Sequence, residues 1–554
     1  MSAAVPDLIL MNGRIHTMGP VRGETNSVSG LAITGGTVSA VGDSADVAAF
    51  AGASTEVVDL GGRCVIPGLL DNHIHFVRAG LTWNRELRWE RCRDLASGLR
   101  MIADDAARRP SDEWTLVIGG WHEKQFPEGR GPTRAELDEA SAHSPVFVQM
   151  LYDWALVNSA GMRATGLNAD VAREAGEHLF EWTEAGELTG RVVGMEGCKW
   201  LYARLPSETF EEQVSSTARL SRDLNRFAVT GLIDGGGVST SPESYDAVYE
   251  TDRRGELTVR TFLTVHASGR GLEQEELGGY LRYGKPRHGS DMLQLLGAGE
   301  VILYALHDRV HTPIVVTDSL REEFFTLLLR MAERQWTVHM HAHRPETIEA
   351  FLDASARVGA THDVRALRWG IVHGETLTEE QVARLAEIGL SAVTQSLMRF
   401  LGDQLTSAFG SEVVSNAPPM RAILDAGIPV SGGTDAMRGA SFDPFTSLHF
   451  YITGRTISGD HILDERNLLT REEALRIYTR GTAYDCFAED RIGSLQPGYS
   501  ADLAVLSADY FEVAVDEILE IESELTLVAG QPVHAGAAFE HVRGARGFRN
   551  GDDS

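Results

Sequence analysis

The sequence predicts an α/β protein whose main unit is a (β/α)8 TIM barrel, joined to a small β-sandwich domain formed from both chain termini. Three observations support this fold class. Short strand-like runs broken by glycine occupy the first sixty residues, similar runs return near the C-terminus, and strands alternate with helices between them. A chain of 554 residues would ordinarily suggest three or four domains. The alternation of strands and helices is typical of a parallel barrel, however, and a barrel forms a single domain that is longer than most.

The N-terminal segment, residues 1–64, has the pattern of successive β-hairpins. Asp7–Met11 is an apolar run that stops at Asn12-Gly13, a dipeptide typical of tight hairpin turns. The C-terminal segment, residues 486–554, repeats this pattern, for example at Ala501–Leu506. We expect the two segments to pair into one small β-sandwich domain, while two independent β appendages would produce the same pattern.

The middle of the chain, residues 65–485, carries the barrel pattern. Thr378–Gln381 and Thr470–Glu473 fit capping boxes that begin helices. Residues about 80–225 hold more helix and loop than a barrel needs, which predicts an insertion there. The candidates for short buried strands are Val146–Met150, Gly231–Asp234, Arg260–His266, Val301–Leu306, Thr337–His341, Trp369–His373, Ser391–Gln395 and Ile428–Thr434.

Composition and charge exclude some classes of partner. Lys and Arg number 50 and Asp and Glu 79, so the formal net charge is −29, whereas nucleic acids and anionic membranes require clustered positive charge. No apolar run approaches the ~20 residues that span a bilayer, and no signal peptide is visible. The four cysteines are too few for a disulfide framework. We therefore expect a soluble, cytoplasmic protein with free thiols.

Two histidines near the start of the barrel give the sharpest functional signal. His73 and His75 lie in the run Val65-Ile-Pro-Gly-Leu-Leu-Asp-Asn-His-Ile-His75, whose apolar character predicts a strand. Alternate residues of a strand point to the same side, so both imidazoles would face one metal ion. An H-x-H pair also occurs by chance, and it is the surrounding apolar strand that favours a site at a barrel strand end.

Three further candidates end predicted barrel strands in chain order. His341 belongs to an alternating set with His339 and His343, of which one ligand is enough, while the others would contact substrate or support the site. His373 and Asp435 each end a later strand candidate. The carboxyl ends of barrel strands meet at one mouth, where catalytic residues lie. Histidine and carboxylate ligands suit Zn²⁺ or a similar divalent ion, whereas Ca²⁺ and Mg²⁺ favour more oxygen.

Together these residues resemble the site of the amidohydrolase superfamily of metal-dependent barrel hydrolases, and the resemblance extends over nearly the whole chain. Pro67–His75 is similar to the family's motif on strand one, and Gly493–Leu506 resembles the family's return into the small β domain. His341, His373 and Asp435 are similar to the ligands of strands five, six and eight. The resemblance implies one or two Zn²⁺ ions, with Mn²⁺ or Fe²⁺ as alternatives, held by His73, His75, His341, His373 and Asp435.

Other motifs resemble the branch that includes N-substituted formamide deformylases and exoenzyme-regulatory proteins, among them Gly119-Gly-Trp121 and Gly186–Gly190. Two positions depart from that branch. Asp153 stands where the branch commonly has a histidine. Ile302 stands where it commonly has a lysine able to bridge two metals as a carbamate, which excludes that bridge and leaves one metal or another bridging group. The candidates for that group are Glu196, Cys198 and Lys199.

The resemblance implies hydrolysis of a non-peptide C–N bond, in an amide or an N-substituted formamide, by metal-activated water. Asp435 is expected to take the proton of the water and pass it to the leaving amine, and His341, or else His373, to polarise the carbonyl. A deaminase, a lactonase or a decarboxylase would use the same residues, and a catalytically silent regulatory or binding relative is the alternative from another class. We expect a small-molecule substrate and, as the commonest assembly of soluble enzymes, a homodimer. The predicted substrate contacts are Trp121, Asp153 and His307.

Overall fold

Eight parallel strands form a nearly closed barrel at the centre of the computed structural model, which describes residues 5–19, 27–237, 240–310 and 312–542. The outermost parts of the two predicted terminal segments, residues 1–4 and 543–554, lie outside this range. In chain order the barrel strands β1 to β8 are Leu69–Ile74, Val229–Asp234, Arg260–Val265, Leu293–Glu300, Thr337–Ala342, Gly370–His373, Ser391–Gln395 and Val430–Gly433. Neighbouring strands pair in parallel, and Asp435 N donates to His73 O at 2.8 Å where β8 meets β1. The predicted barrel is confirmed.

Helices connect the barrel strands, and two of them begin at the capping boxes that the sequence predicts. Thr378 Oγ1 accepts a hydrogen bond from Gln381 N, and Thr470 Oγ1 accepts one from Glu473 N, so both predicted capping boxes are present. The strands are buried on both faces, as expected for a parallel sheet covered by helices. The principal helices of the barrel are Phe210–Asn225, Asp246–Arg253, Glu273–Tyr283, Asp318–Glu333, Pro345–Gly359, Glu379–Ile388, Met398–Phe409, Met420–Asp425, Pro444–Thr453 and Arg471–Arg476.

The fourth barrel strand lies earlier in the chain than predicted. The sequence indicates a strand at Val301–Leu306, but β4 is Leu293–Glu300, and Tyr304–Leu306 forms a single 3₁₀ turn. Gly297 interrupts the apolar run of β4. A Cβ atom at Gly297 would lie 2.4 Å from Thr337 Cγ2 of β5, so only glycine allows this approach of the two strands. The break in the pattern marks a close contact within the sheet.

The predicted insertion lies between β1 and the helix Phe210–Asn225 and carries its own six-stranded sheet. The predicted strand Val146–Met150 exists but belongs to this sheet, not to the barrel. The strands in sheet order are Phe180–Trp182, Leu188–Val193, Trp154–Val157, Val146–Met150, Thr115–Ile118 and Glu86–Leu87. The helices of the insertion include Leu95–Arg108, Arg134–Ala140, Ser159–Thr165, Ala169–Gly176 and Gly194–Tyr202. The loop at residues 151–153 and the first residues of the helix Gly194–Tyr202 reach the barrel mouth.

Both chain ends build one small β-sandwich. Cys64–Pro67 pairs antiparallel with Leu503–Leu506, so N-terminal and C-terminal strands share a sheet and are not independent appendages. Cys64–Pro67 spans the predicted boundary after residue 64. One sheet has the order Thr37–Gly42, Gly30–Thr34, Leu8–Met11 and Glu56–Asp59, and the other has the order Gln531–Ala535, Ser523–Val528, Leu503–Leu506, Cys64–Pro67, Arg14–His16 and Ser27–Val28. Leu10, Leu31, Val65, Leu503 and Leu525 pack between the sheets.

All four cysteines are free thiols, as predicted. Three of them, Cys64, Cys198 and Cys486, are buried. Within the described ranges, no helix combines the length and the apolar character needed to cross a membrane.

Candidate metal centre at the barrel mouth

The two histidines at the end of β1 face two carboxylates. His73 Nε2 lies 3.3 Å from Glu300 Oε2 and 3.7 Å from Asp435 Oδ1, and His75 Nε2 lies 3.1 Å from Asp435 Oδ1. His75 Nδ1 lies 2.8 Å from the carbonyl oxygen of Gly236, which requires the proton on Nδ1 and leaves the lone pair on Nε2. His73 Nε2 is buried and has no hydrogen-bond partner among the described residues. Both imidazoles thus present Nε2 to the same space.

Glu300, the last residue of β4, joins the two halves of the site and was missed in the sequence. Its Oε2 lies 3.1 Å from His341 Nδ1, 3.3 Å from His73 Nε2 and 3.7 Å from His373 Nε2. Burial alone would raise the pKa of Glu300, but its contacts with the histidines outweigh burial and hold the pKa well below its ordinary value. The sequence predicts a strand that begins at Val301, so Glu300 lies just before the predicted strand and is not recognised as a residue at a strand end.

The bridging groups suggested by the sequence, Glu196, Cys198 and Lys199, lie outside this cluster. Ile302, which stands in place of the lysine, is fully buried in the hydrophobic core. Glu196 has a side chain that is 63% exposed and pairs with Lys199 at 3.7 Å and with Arg309 at 3.3 Å. Cys198 packs in the apolar core of the insertion. These suggestions were therefore wrong, and Glu300 occupies the position between the histidines.

A buried carboxylate stands behind each of the later histidines. Asp308 Oδ1 lies 3.2 Å from His341 Nε2, and Asp308 also accepts hydrogen bonds from the backbone N–H groups of His343 and Arg344. Glu375 Oε1 lies 3.7 Å from His373 Nδ1, beyond hydrogen-bond distance. A carboxylate that is hydrogen-bonded to a metal-binding imidazole orients it and decides which nitrogen carries the proton. His341 is thereby directed to Glu300 through Nδ1, whereas His373 Nε2 lies 3.7 Å from Glu300.

Asp71 and Asp435 fasten the first and last barrel strands together at this end. Asp71 Oδ1 accepts hydrogen bonds from His73 N at 3.1 Å and Thr434 N at 3.0 Å, and Thr434 Oγ1 donates to Asp71 Oδ2 at 2.6 Å. Asp435 follows with φ +57°, a strained conformation of the kind found at functional sites. Burial would raise the pKa of Asp435, but His75, His373 and His73 lower it to about 2, so the carboxylate is ionised.

A cavity of about 480 Å³ opens onto these residues. Its wall is apolar at Leu151, Met195, Val310, Leu397 and Leu401, and polar at Arg78, Tyr152, Asp153, His307, Arg309 and Gln404. Two of the three predicted substrate contacts, Asp153 and His307, therefore line the cavity. Gln404 Nε2 donates to Asp153 Oδ2 at 2.7 Å on the wall contributed jointly by insertion and barrel.

The third predicted substrate contact, Trp121, is not part of the cavity wall in the described structure. Its indole is fully buried and contacts Trp89, Phe126 and Trp154, with ring centroids 4.9 to 5.8 Å apart. Its Nε1–H donates to the carbonyl oxygen of Gln149 at 3.0 Å. Trp121 fills the core of the insertion, because an indole whose N–H has a backbone partner can be buried completely.

The donor set fits a divalent metal. In several groups of three the ligand atoms lie within 4.8 Å of one another. Imidazole nitrogens and buried carboxylates are the ligands that Zn²⁺ and similar ions prefer, and such an ion would satisfy His73 Nε2, which makes no hydrogen bond among the described residues. The groups are His73, His75 and Asp435; His73, Glu300 and His373; Glu300, His307 and His341; and His341, His343 and His373.

Comparison with known proteins gives a consistent result over almost the whole chain. A family model described as "Amidohydrolase family" matches residues 56–534. The chain is 23% identical over 539 residues to the N-substituted formamide deformylase of Arthrobacter pascens, covering 95% of this chain and 97% of that protein. It is 25% identical over 535 residues to Protein LONG AFTER FAR-RED 3 of Arabidopsis thaliana, covering 92% and 88%. An uncharacterized metal-dependent hydrolase from Pyrococcus horikoshii shares the fold, with a TM-score of 0.64, 20% identity, and coverage of 92% and 99%.

Proposed function

Because this chain belongs to the amidohydrolase family of hydrolases, we propose that it uses a divalent metal centre to hydrolyse a non-peptide C–N bond in an amide or an N-substituted formamide. The observation that carries the proposal is the position of Glu300 between the histidines of β1 and those of β5 and β6, at the floor of one cavity. The relative from Arthrobacter pascens acts, by its name, on N-substituted formamides, which favours this bond.

The metal is best assigned as zinc, one ion or two, with Mn²⁺ or Fe²⁺ able to occupy the same ligands. When bound, it supplies the Lewis acidity that polarises a carbonyl and makes water more acidic. Its ligands would be His73, His75, Glu300, His341, His373 and Asp435.

Asp435 is the residue that we assign to proton transfer. Its carboxylate lines the cavity and is ionised, with Oδ1 3.1 Å from His75 Nε2. We propose that Asp435 accepts a proton from the attacking water and donates it to the nitrogen of the departing amine. His341 was also expected to act on the carbonyl, but both of its nitrogens face carboxylates, so we assign it to the metal.

The cavity wall supports a substrate with an apolar substituent and a polar end. Leucine, valine and methionine side chains would contact the substituent, while Asp153 and His307 would accept or donate hydrogen bonds at the polar end. The loops of the insertion contribute Leu151 and Asp153, so they would also help to exclude water from the reacting bond.

Replacement of Asp435 by asparagine tests the assignment directly. The substitution preserves size but removes the proton acceptor, so we expect Asp435→Asn to lower kcat by about 10²–10⁴-fold. Turnover would be measured on N-substituted formamides, N-acyl amines, lactams, lactones and amino-heterocycles with Zn²⁺ or Mn²⁺ supplied. The exposed Asp425 gives a matched control, Asp425→Asn.

Metal analysis of both variants separates loss of a ligand from loss of the base. Nearly normal kcat in Asp435→Asn would remove that residue from the mechanism. Preferred turnover of amino-heterocycles or lactones would instead identify a deaminase or a lactonase. A wild-type protein without metal and without turnover in any assay would indicate a silent relative.

A further inference from the structure

Three buried imidazoles converge at the mouth beside β5 and β6. Ring centroids of His341 and His343 lie 4.6 Å apart, those of His341 and His373 4.6 Å, and those of His343 and His373 4.0 Å. Their ligand atoms lie within 4.8 Å of one another, and all three side chains line the cavity. His343 is not needed by the mechanism described above, so its position requires a separate explanation.

Glu375 fixes the orientation of His343. Its Oε2 lies 2.8 Å from His343 Nδ1, so that ring keeps its proton on Nδ1 and has its lone pair on Nε2, the form that binds a cation. Its Oε1 lies 3.7 Å from His373 Nδ1, beyond hydrogen-bond distance, and neither of these two atoms has a hydrogen-bond partner among the described residues. His373 Nε2 lies 3.7 Å from Glu300.

The ring of His341 stands edge-on to both of its neighbours. It makes angles of 89° with the ring of His343 and 83° with that of His373, whereas the rings of His343 and His373 stack at 23° with centroids 4.0 Å apart. Around a tetrahedral Zn²⁺ bound at about 2.1 Å, ring centroids would lie about 5.2 Å apart, so binding by all three imidazoles requires the two stacked rings to move apart by about 1 Å.

We propose that His343 is a further ligand of the cation position between His341 and His373, with Glu375 as the residue that positions it. The inference rests on the metal centre of the proposed function. It implies a position with three nitrogen ligands beside Glu300, which favours Zn²⁺, Co²⁺ or Ni²⁺ over Mg²⁺ and Ca²⁺.

Zn²⁺ binding to the full-length protein tests the proposal without any substrate. Metal would be removed by chelation, and Zn²⁺ would be titrated back against a chromogenic competing chelator. We expect His343→Ala to weaken Zn²⁺ binding at one position by at least 100-fold, and Glu375→Gln to weaken it by about 10–100-fold, as for other carboxylates behind metal-binding histidines. In the Co²⁺-substituted protein, His343→Ala should also change the visible absorption bands, because an imidazole ligand is replaced.

His307 is the rival ligand, because it forms a further group of possible ligands with Glu300 and His341. Its ring centroid lies 4.3 Å from that of His341, but in the described part of the chain no hydrogen bond or ion pair joins its ring to a carboxylate. We expect His307→Ala to weaken Zn²⁺ binding less than His343→Ala does, and His288→Ala on the exposed surface to leave it unchanged. Loss of affinity in His307→Ala with normal affinity in His343→Ala would overturn the proposal.

A second variant keeps the outcome decisive. If His343→Ala fails to fold, as judged by circular dichroism, His343→Gln keeps a polar side chain of similar size and replaces it. Unchanged Zn²⁺ affinity and unchanged Co²⁺ absorption in a folded variant would refute the role of His343. Because the readout is metal binding, a protein that hydrolyses none of the tested substrates could still confirm this inference while the proposed function fails.

Discussion

Glu300 is the residue on which the two halves of the metal centre depend. It is the one carboxylate that contacts histidines of β1, β5 and β6 at once in the described structure, at 3.1 to 3.7 Å. Three imidazoles around one buried carboxylate stabilise its charge and are held in place by it. The same negative charge would offset that of a divalent cation, so a neutral replacement should be costly for metal binding.

Glu300→Gln is therefore expected to lower the content of bound divalent metal and to lower kcat/KM by at least about 100-fold, because loss of a group that only supports a metal ligand already costs about 10–100-fold. Metal would be measured by elemental analysis after gel filtration. Ile302→Val is the control, because Ile302 lies in the apolar core two residues away. A Glu300→Gln protein with full metal content and normal turnover would show that the carboxylate has no role there.

Among the individual site residues, the sequence predicts best those that belong to a recognisable pattern. His73 and His75 are recognisable because alternate strand residues share a face, and Asp435 because it ends an apolar strand. Single acidic residues after a strand are common, so Glu300 and Glu375 carry no comparable signal. Trp121 was misassigned because the sequence does not show whether an indole after a Gly-Gly turn points outward to substrate or inward to the core.

Continuous apolar runs in the sequence predict the positions of the barrel strands well, except where a glycine interrupts the run. Seven of the barrel strands match or overlap runs that the sequence indicates, β1 among them through the Val65–His75 run. The exception is β4, where the close approach to Thr337 of β5 requires Gly297. The sheet of the insertion was not predicted, because its strands are short and two of them, Glu86–Leu87 and Phe180–Trp182, have only two and three residues.

Asp443 caps a helix, and its buried carboxyl group makes the stability of the folded protein depend on pH. It caps the helix Pro444–Thr453, accepting a hydrogen bond from Phe445 N at 2.9 Å, and it pairs with Arg91 of the insertion at 2.9 Å. Burial raises the pKa of Asp443 to about 6, against the lowering effect of Arg91. A carboxyl group whose pKa is raised on folding stabilises the folded state less as the pH rises from about 4 to about 6.

We expect Asp443→Asn to gain stability relative to wild type between pH 4.5 and pH 7.5, by at most about 3 kcal/mol for a shift of about two units. Asparagine keeps the capping oxygen but does not ionise. The difference between the urea unfolding midpoints of the two proteins would be measured at both pH values. A difference that is constant with pH, or that changes in the opposite direction, would contradict the assignment.

For the molecule as a whole, a buried ion pair connects the barrel to the sandwich. Arg260 begins β3, and its Nε donates to Asp502 Oδ2 at 2.6 Å while Nη2 donates to Asp502 Oδ1 at 3.1 Å. Asp502 also accepts a hydrogen bond from Ala529 N at 2.7 Å. The side chains are 9% and 2% exposed. Because Arg260 lies at the amino end of its strand, the pair is at the opposite end of the barrel from the metal centre.

Asp502→Ala should therefore lower the free energy of unfolding by about 3–5 kcal/mol, since it leaves the Arg260 guanidinium buried without its partner. Removing both charges with Arg260→Leu and Asp502→Ala should cost less than the sum of the two single changes, because no uncompensated charge remains. Urea unfolding of the wild type, both single variants and the double variant measures this coupling. Turnover at 25 °C should stay near that of the wild type in every folded variant. Additive losses would mean that the pair contributes no specific link between the barrel and the sandwich.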